Sequence, residues 1–324
     1  MSIGIAVRRC GFALLMVALV PSWSAQSYPD RAVRIMVPTS PGGSIDALAR
    51  MIAAQLAAKW GKPVIVENRS GAAMMVGVDA VAKSAPDGYT LLVAHDGAMA
   101  MNPALYANLP YNPQRDFEPV ALMASIPEVI LTHASTSAKS LGDLVQLAQR
   151  EPGKLNHATG GPASFLAFEL FKAMTGVDIA SVQYRGAAPS VMAVIAGEVQ
   201  MCITDIASAS PALQSDRAKP LAVTTLKRAA RFPDLPTADE AGVPGYNVQV
   251  WLGLFAPAGT PNEVRRTIEA AVKQVLSQPD IRNKLEAVGM EVRSGSASEL
   301  REVLAADIPK WATLVKDKKL QIAQ

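Results

Sequence analysis

The feature that most limits this chain is a recurring unit: a short β-rich run, a turn rich in Gly, Pro and Ser, then a segment with apolar residues three and four apart. The first copy is the plainest. Val33 to Val37 is followed by the turn TSPGGS, Thr39 to Ser44, and then by a predicted helix from Ile45 to Trp60 with Leu48, Ile52, Leu56 and Trp60 on one face. Strand, turn and helix in that order form a parallel βαβ unit. Further strands are predicted at Val64–Glu67, Tyr89–His95, Val129–Thr132, Asn156–Thr159, Ser181–Tyr184, Met201–Thr204, Ala222–Thr225 and Leu252–Ala256. Helices are predicted at Met75–Ser84, Leu141–Arg150, Ser164–Thr175, Pro189–Ala196 and Glu263–Ser277. Thr260-Pro261-Asn262-Glu263 and Ser296-Ala297-Ser298-Glu299 both read as capping boxes that open helices. The expected fold class is α/β, with two mainly parallel sheets flanked by helices. An eight-fold barrel fits less well, because the helices are unevenly spaced and the hairpin-like DGYTLLV segment interrupts the alternation.

The N-terminus reads as an export signal. MSIGIAVRR is a positively charged start, Cys10 to Val20 is an apolar stretch too short to span a bilayer, and Ser22, Ser24 and Ala25 supply small residues for cleavage. Residues 1–25 are therefore expected to be a signal peptide, cleaved near Ser24 or Ala25, which places the mature protein in the periplasm. Arg8 and Arg9 leave open whether export follows the general or the twin-arginine route. Two of the 31 Lys and Arg residues lie in this leader, against 28 Asp and Glu, so the exported chain is close to neutral. Its basic residues are scattered apart from the tail KDKK, Lys316 to Lys319, which reads as a solvated helix end, and this argues against nucleic-acid binding. Only Cys202 remains after cleavage, so no internal disulfide can form, and in VQMCITD it reads as a core residue.

No catalytic or metal-binding pattern emerges. His95, His133 and His157 are far apart and lack ligand spacing. There is no GxSxG elbow, no phosphate loop, and no GxGxxG after a strand; Gly160-Gly161 lacks the further glycine a dinucleotide site needs. No metal and no cofactor are expected. Three strand-to-helix turns do stand out: Thr39 to Ser44, Gly160 to Ser164, and Arg185 to Ala188. In a parallel sheet such turns put unpaired amide N–H groups and the positive end of a helix dipole at the carboxyl ends of the strands, where ligands enter. Each could be an ordinary βα turn; together they suggest a site for a carboxylate.

The stretches YPDRAVRIMVPTSPGGSIDALAR, VIVENRSGA, APDGYTLLV, NPALYANLPYNPQRDFEPVAL, PGKLNHATGG, VQYRGAAPSV, PLAVTTLKRAARFPDLPTADEAGVPGY and WLGLFAPAGTP resemble the Bug family, the periplasmic substrate-binding components of tripartite tricarboxylate transporters. The similarity runs in order through the mature chain. It implies a two-domain type II periplasmic binding protein, a Venus flytrap, whose domains close on a ligand. The chain would cross between domains near Met123–Ile126 and Ala222–Leu226, giving a discontinuous domain of 26–124 plus 226–324 and a second of 125–225. The implied first-domain contacts are Thr39, Ser40, Pro41, Gly42 and Gly43. Those from the second domain are Thr159, Gly160, Gly161, Ser164, Tyr184, Arg185, Gly186, Ala187 and Asp205, and His95 joins the candidate set.

Arg185 suits a ligand carboxylate or a structural ion pair equally well. Asp205 would repel an anion unless the ligand also carries an amine or hydroxyl donor. The sequence departs from the family pattern at Ala72 to Gly77, at Phe165 and at Thr39. If Met74, Met75 and Phe165 face the cleft, the ligand has an apolar or aromatic body; otherwise they are core. The expected role is capture of a small organic carboxylate by a monomer that delivers it to membrane permease subunits. The alternatives are a ligand-sensing partner of a membrane sensor kinase and, with no nucleophile or base in view, a periplasmic hydrolase or isomerase.

Overall fold

The computed structural model describes Met1 and residues 28–320; the expected signal peptide lies almost wholly outside the described residues. In chain order the elements are β1 (Val33–Val37), α1 (Ser44–Trp60), β2 (Val64–Asn68), α2 (Met75–Ala82), β3 (Thr90–His95), α3 (Asn102–Leu105), β4 (Phe117–His133) and α4 (Leu141–Arg150). They continue with β5 (Asn156–Thr159), α5 (Pro162–Thr175), β6 (Ala180–Gln183), α6 (Ala187–Ala196), β7 (Met201–Asp205), α7 (Ser210–Leu213) and β8 (Ala218–Val223). The last are β9 (Gln249–Pro257), α8 (Asn262–Leu276), α9 (Pro279–Ala287), β10 (Glu291–Gly295) and α10 (Ala297–Lys318).

Two sheets share one strand. The order is β2-β1-β3-β9-β4-β7-β5-β6, with β10 and β8 also paired to β4. β4 pairs with β9 from Phe117 to Pro127, and with β7 from Glu128 to Thr132. The parallel pairing expected from the βαβ units is confined to β2-β1-β3 and β7-β5-β6. Everything around β4 is antiparallel, so the sheets are mixed rather than mainly parallel. The first half of β4 escaped sequence reading because Pro119 and Pro127 lie in it, and Pro removes a ladder donor. Pro119 flanks a register shift against β9, and Pro127 pairs with the first residue of β9.

Apolar side chains fill both faces. Ile35, Leu48, Ile52, Leu91, Val272 and Leu276 form a core between the first sheet and α1 and α8. Another runs without a break from Met36, Leu92 and Phe255 through Trp311 of α10 to Phe168, Phe171 and Tyr246 beside the second sheet. Thr237 bridges Val223, the Val248 amide donates to Thr224 O at 3.0 Å, and the Tyr246 hydroxyl donates to the Ala167 carbonyl at 2.9 Å, so residues 237–248 pack on that second half. Cys202 is buried, as its apolar surroundings predict, and burial pushes its thiol up to about 12.

The helix-start signals split. At Ser296 both capping-box hydrogen bonds form with Glu299. At Thr260 the expected box is absent: Pro261 takes the capping position without a side-chain bond, and the Thr260 hydroxyl donates back to Pro257 O at 2.7 Å. α5 begins at Pro162 and α6 at Ala187, each two residues earlier than expected. Pro is tolerated in a first helical turn because its missing N–H would have had no intrahelical partner there.

Candidate functional site

Where the two sheets meet, a cleft of about 310 Å³ opens at the carboxyl ends of β3, β5 and β7. Its first wall is Ala73, Met74, His95, Gly97, Asn102 and Val250; its second is Glu128, Gly160 to Ser164, Ala187, Ser190 and Ile203 to Asp205. Of the residues expected from sequence, Met74, His95, Gly160, Gly161, Ser164, Ala187 and Asp205 border it.

The second wall is built from two helix N-termini side by side. Their capping positions, Gly161 and Gly186, have no side chain to occupy the first amides of α5 and α6. Gly160 is what lets them approach, since a Cβ there would sit 2.9 Å from the backbone of Gly186 and Ala187. Ser164 pins the start of α5 to β7 by donating to Ile203 O at 3.0 Å. Together the two helices offer amide donors and partial positive charge at one end of the cleft.

The first wall is strained. Ala72, Ala73 and Met74 have φ of 43°, 49° and 75°, a left-handed run in which L-residues are penalised. Asn102 holds it by donating from Nδ2 to Ala73 O at 2.8 Å; the Tyr111 hydroxyl, which donates to Ala98 O at 2.6 Å, lies 3.4 Å from the same Nδ2. His95 Nδ1 accepts the Gly97 N–H at 2.9 Å and lies 3.1 Å from an Asp96 carboxylate oxygen.

The floor is acidic. Glu128 and Asp205 are paired across β4 and β7, and both border the cleft. Glu128 is 4% exposed and its Oε2 has no hydrogen-bond partner. Burial, then repulsion from Asp96 and Asp205, pushes its carboxyl up to about 8, and Lys310 only partly offsets this. Thr204, also bordering the cleft, has an unpartnered buried hydroxyl. Among the described residues, no Lys or Arg side chain borders the cleft.

The remaining expected residues lie outside this cleft. The turn from Ser40 to Gly43 is exposed, and its Gly42 amide already donates to Asp46 Oδ2 at 2.9 Å. Asp46 also takes Arg50 and Asn68; the Arg50 guanidinium above all, then that amide and Asn68, hold its carboxyl down to about 2. Thr39 is half-buried beside this network, with its carbonyl bound by Asn68. Thr159 is fully buried against His157. Phe165 is one residue past Ser164, a step of about 100° round the helix, and packs on the core. Tyr184 and Arg185 follow an edge strand; Tyr184 reaches Glu198 at 3.4 Å and Arg185 is exposed. Gly186 caps α6 one residue from the cleft. Met75 faces a separate groove with Arg69 and Val76.

Sequence reasoning missed Glu128, Asn102, Ser190, Thr204 and Val250. Glu128 did leave a signal, an isolated acid inside the apolar run SIPEVILT. Among the described residues, the Ser164 and Ser190 hydroxyls at the cleft are spent on the Ile203 and Gly186 carbonyls, and the Cys202 thiol is buried. What the geometry offers is recognition.

An α/β chain of two sheets joined through a shared strand, with a small cleft at the junction, is a solute-binding protein of the periplasmic type. Over residues 48–320 it matches the tripartite tricarboxylate transporter family receptor, and it belongs to that family. The family consists of transporter receptors, not enzymes. BugT of Bordetella pertussis is 31% identical over 310 residues, covering 95% of both chains. Two solved structures from Rhodopseudomonas palustris are similar. Rpa4515 with adipate is 36% identical, with a TM-score of 0.77 over 89% of this chain and 97% of the other. MatC with bound malate is 34% identical, with a TM-score of 0.74 over 89% of this chain and all of the other.

Proposed function

We propose that this protein is exported to the periplasm, captures a small organic carboxylate in the cleft at the sheet junction, and delivers it as a monomer to membrane permease subunits. The observation that carries the reading is the pair of uncapped helix N-termini, α5 and α6, facing the cleft across from His95 and Asn102. Similar proteins with adipate and with malate bound support the ligand class. The first lobe is residues 26–124 with the C-terminal segment, and the second starts near 125. The return crossing is assigned to about residue 248 rather than 226, because Tyr246 is anchored on α5. A ligand that touches both walls favours the closed arrangement by those shared contacts.

Calorimetry on the mature chain with adipate, malate and benzoate tests this. Saturable binding of at least one acid with a Kd in the micromolar range or tighter is expected. Heats indistinguishable from dilution for all three and for glutamate, with the protein folded, would remove the reading.

A further inference from the structure

The cleft has two chemically opposite ends. One is the paired N-termini of α5 and α6, which suit a carboxylate. The other is a wall of acids that, among the described residues, no Lys or Arg side chain borders. Glu128 and Asp205 stand opposite each other in register on neighbouring strands. Asp205 spends Oδ1 on the Ser208 amide at 2.8 Å, whereas Glu128, 4% exposed, leaves Oε2 without a partner. Around Glu128 the charged neighbours are Asp96, Asp205 and Lys310. Lys310 does not border the cleft; its ammonium is held by Asn247 O at 2.8 Å and lies 3.8 Å from Asp307. A plain dicarboxylate would thus bring a second negative group to the one region already crowded with carboxyls.

On the carboxylate-capture reading above, we infer that the ligand also carries a protonated amine, seated between Glu128 and Asp205 while its carboxylate meets the N-termini of α5 and α6. The ligand class is therefore a small amino-carboxylate, and Glu128 is the residue that selects it. An ammonium supplies the donor that Oε2 lacks and separates the two acids electrostatically. Because the empty site favours the protonated form of Glu128 near neutral pH, ion pairing with the ammonium releases that proton to the buffer.

The test uses matched pairs that differ by one amine: succinate against aspartate, glutarate against glutamate, adipate against 2-aminoadipate. Calorimetry on the mature protein is expected to show the amine-bearing member at least tenfold tighter in one or more pairs. Its binding should release protons at pH 7, read from the dependence of the heat on buffer ionisation enthalpy. Glu128→Gln, checked by thermal melting, should abolish the proton release and bring the two members within a factor of three; Asp205→Asn should narrow the gap. Equal or tighter binding of the amine-free members, or an unchanged preference in both variants, overturns the amine assignment and leaves carboxylate capture standing. Failure of every acid to bind removes both.

Discussion

Two buried titratable side chains tie this protein to pH in opposite senses. His157 is fully buried, its Nε2 accepting the Ile203 amide at 3.1 Å and its ring stacked on Phe168 at 3.8 Å. Burial and the nearby Lys172 ammonium hold its pKa down at about 3, against 6.5 when unfolded. Between those values the unfolded chain binds the extra proton, so the His157 contribution is complete above pH 6.5 and drains away as pH falls toward 3. Glu128 runs the other way. Its carboxyl is lifted from 4.5 to about 8, so the folded state holds the proton and stability is lost as pH rises through that window. Glu128→Gln should therefore raise the melting temperature of the unliganded protein at pH 8.5, and do little at pH 4.5. Melts at the two pH values check this; equal shifts at both would count against a strained, ionisable Glu128. His157→Gln should flatten the loss of stability between pH 6.5 and 4.

Among the elements, the cleft walls rest on two local arrangements that can be broken separately. Gly160→Ala places a Cβ 2.9 Å from backbone that cannot yield without moving α6, an overpacking cost of about 1–3 kcal/mol. Chemical denaturation should show that loss, together with weaker ligand binding. Asn102→Ala frees the carbonyl of Ala73 and should cost about 1–3 kcal/mol. It should also weaken binding, since the left-handed run that presents Met74 loses its brace. The parallel βαβ units were legible in sequence because each carries its own apolar period and its own Gly-rich turn. The first half of β4 and all of β10 were not, since Pro119 and Pro127 mask one and the other is five residues of EVRSG with Ser294 at φ 47°. For the site, helix N-termini could be read from turns, which is how Gly160, Gly161, Ser164 and Ala187 were found. Glu128 and Val250 reach the cleft only through long-range strand pairing, and Asn102 through its contact with Ala73, none of which local spacing encodes.

For the whole molecule, the cleft lies where β4 changes partners, from β9 to β7, at Pro127 and Glu128. The Thr224 hydroxyl fastens that point, accepting the Glu128 amide at 3.2 Å and donating to Val248 O at 2.6 Å. Thr224→Val keeps the shape and removes both bonds; it should lower stability by about 1–3 kcal/mol and alter affinity for any acid that binds, as titration would show. Ligand addition should contract the radius of gyration seen by small-angle scattering, and an unchanged value at saturation would argue against closure. The continuity of β4 has a mechanical corollary. With a hydrogen-bonded ribbon as the axle, turning one half on the other winds or unwinds the ladder, which resists and restores the motion. Occupancy is then carried as twist in the ladder between β4 and β9, within reach of anything that touches both halves.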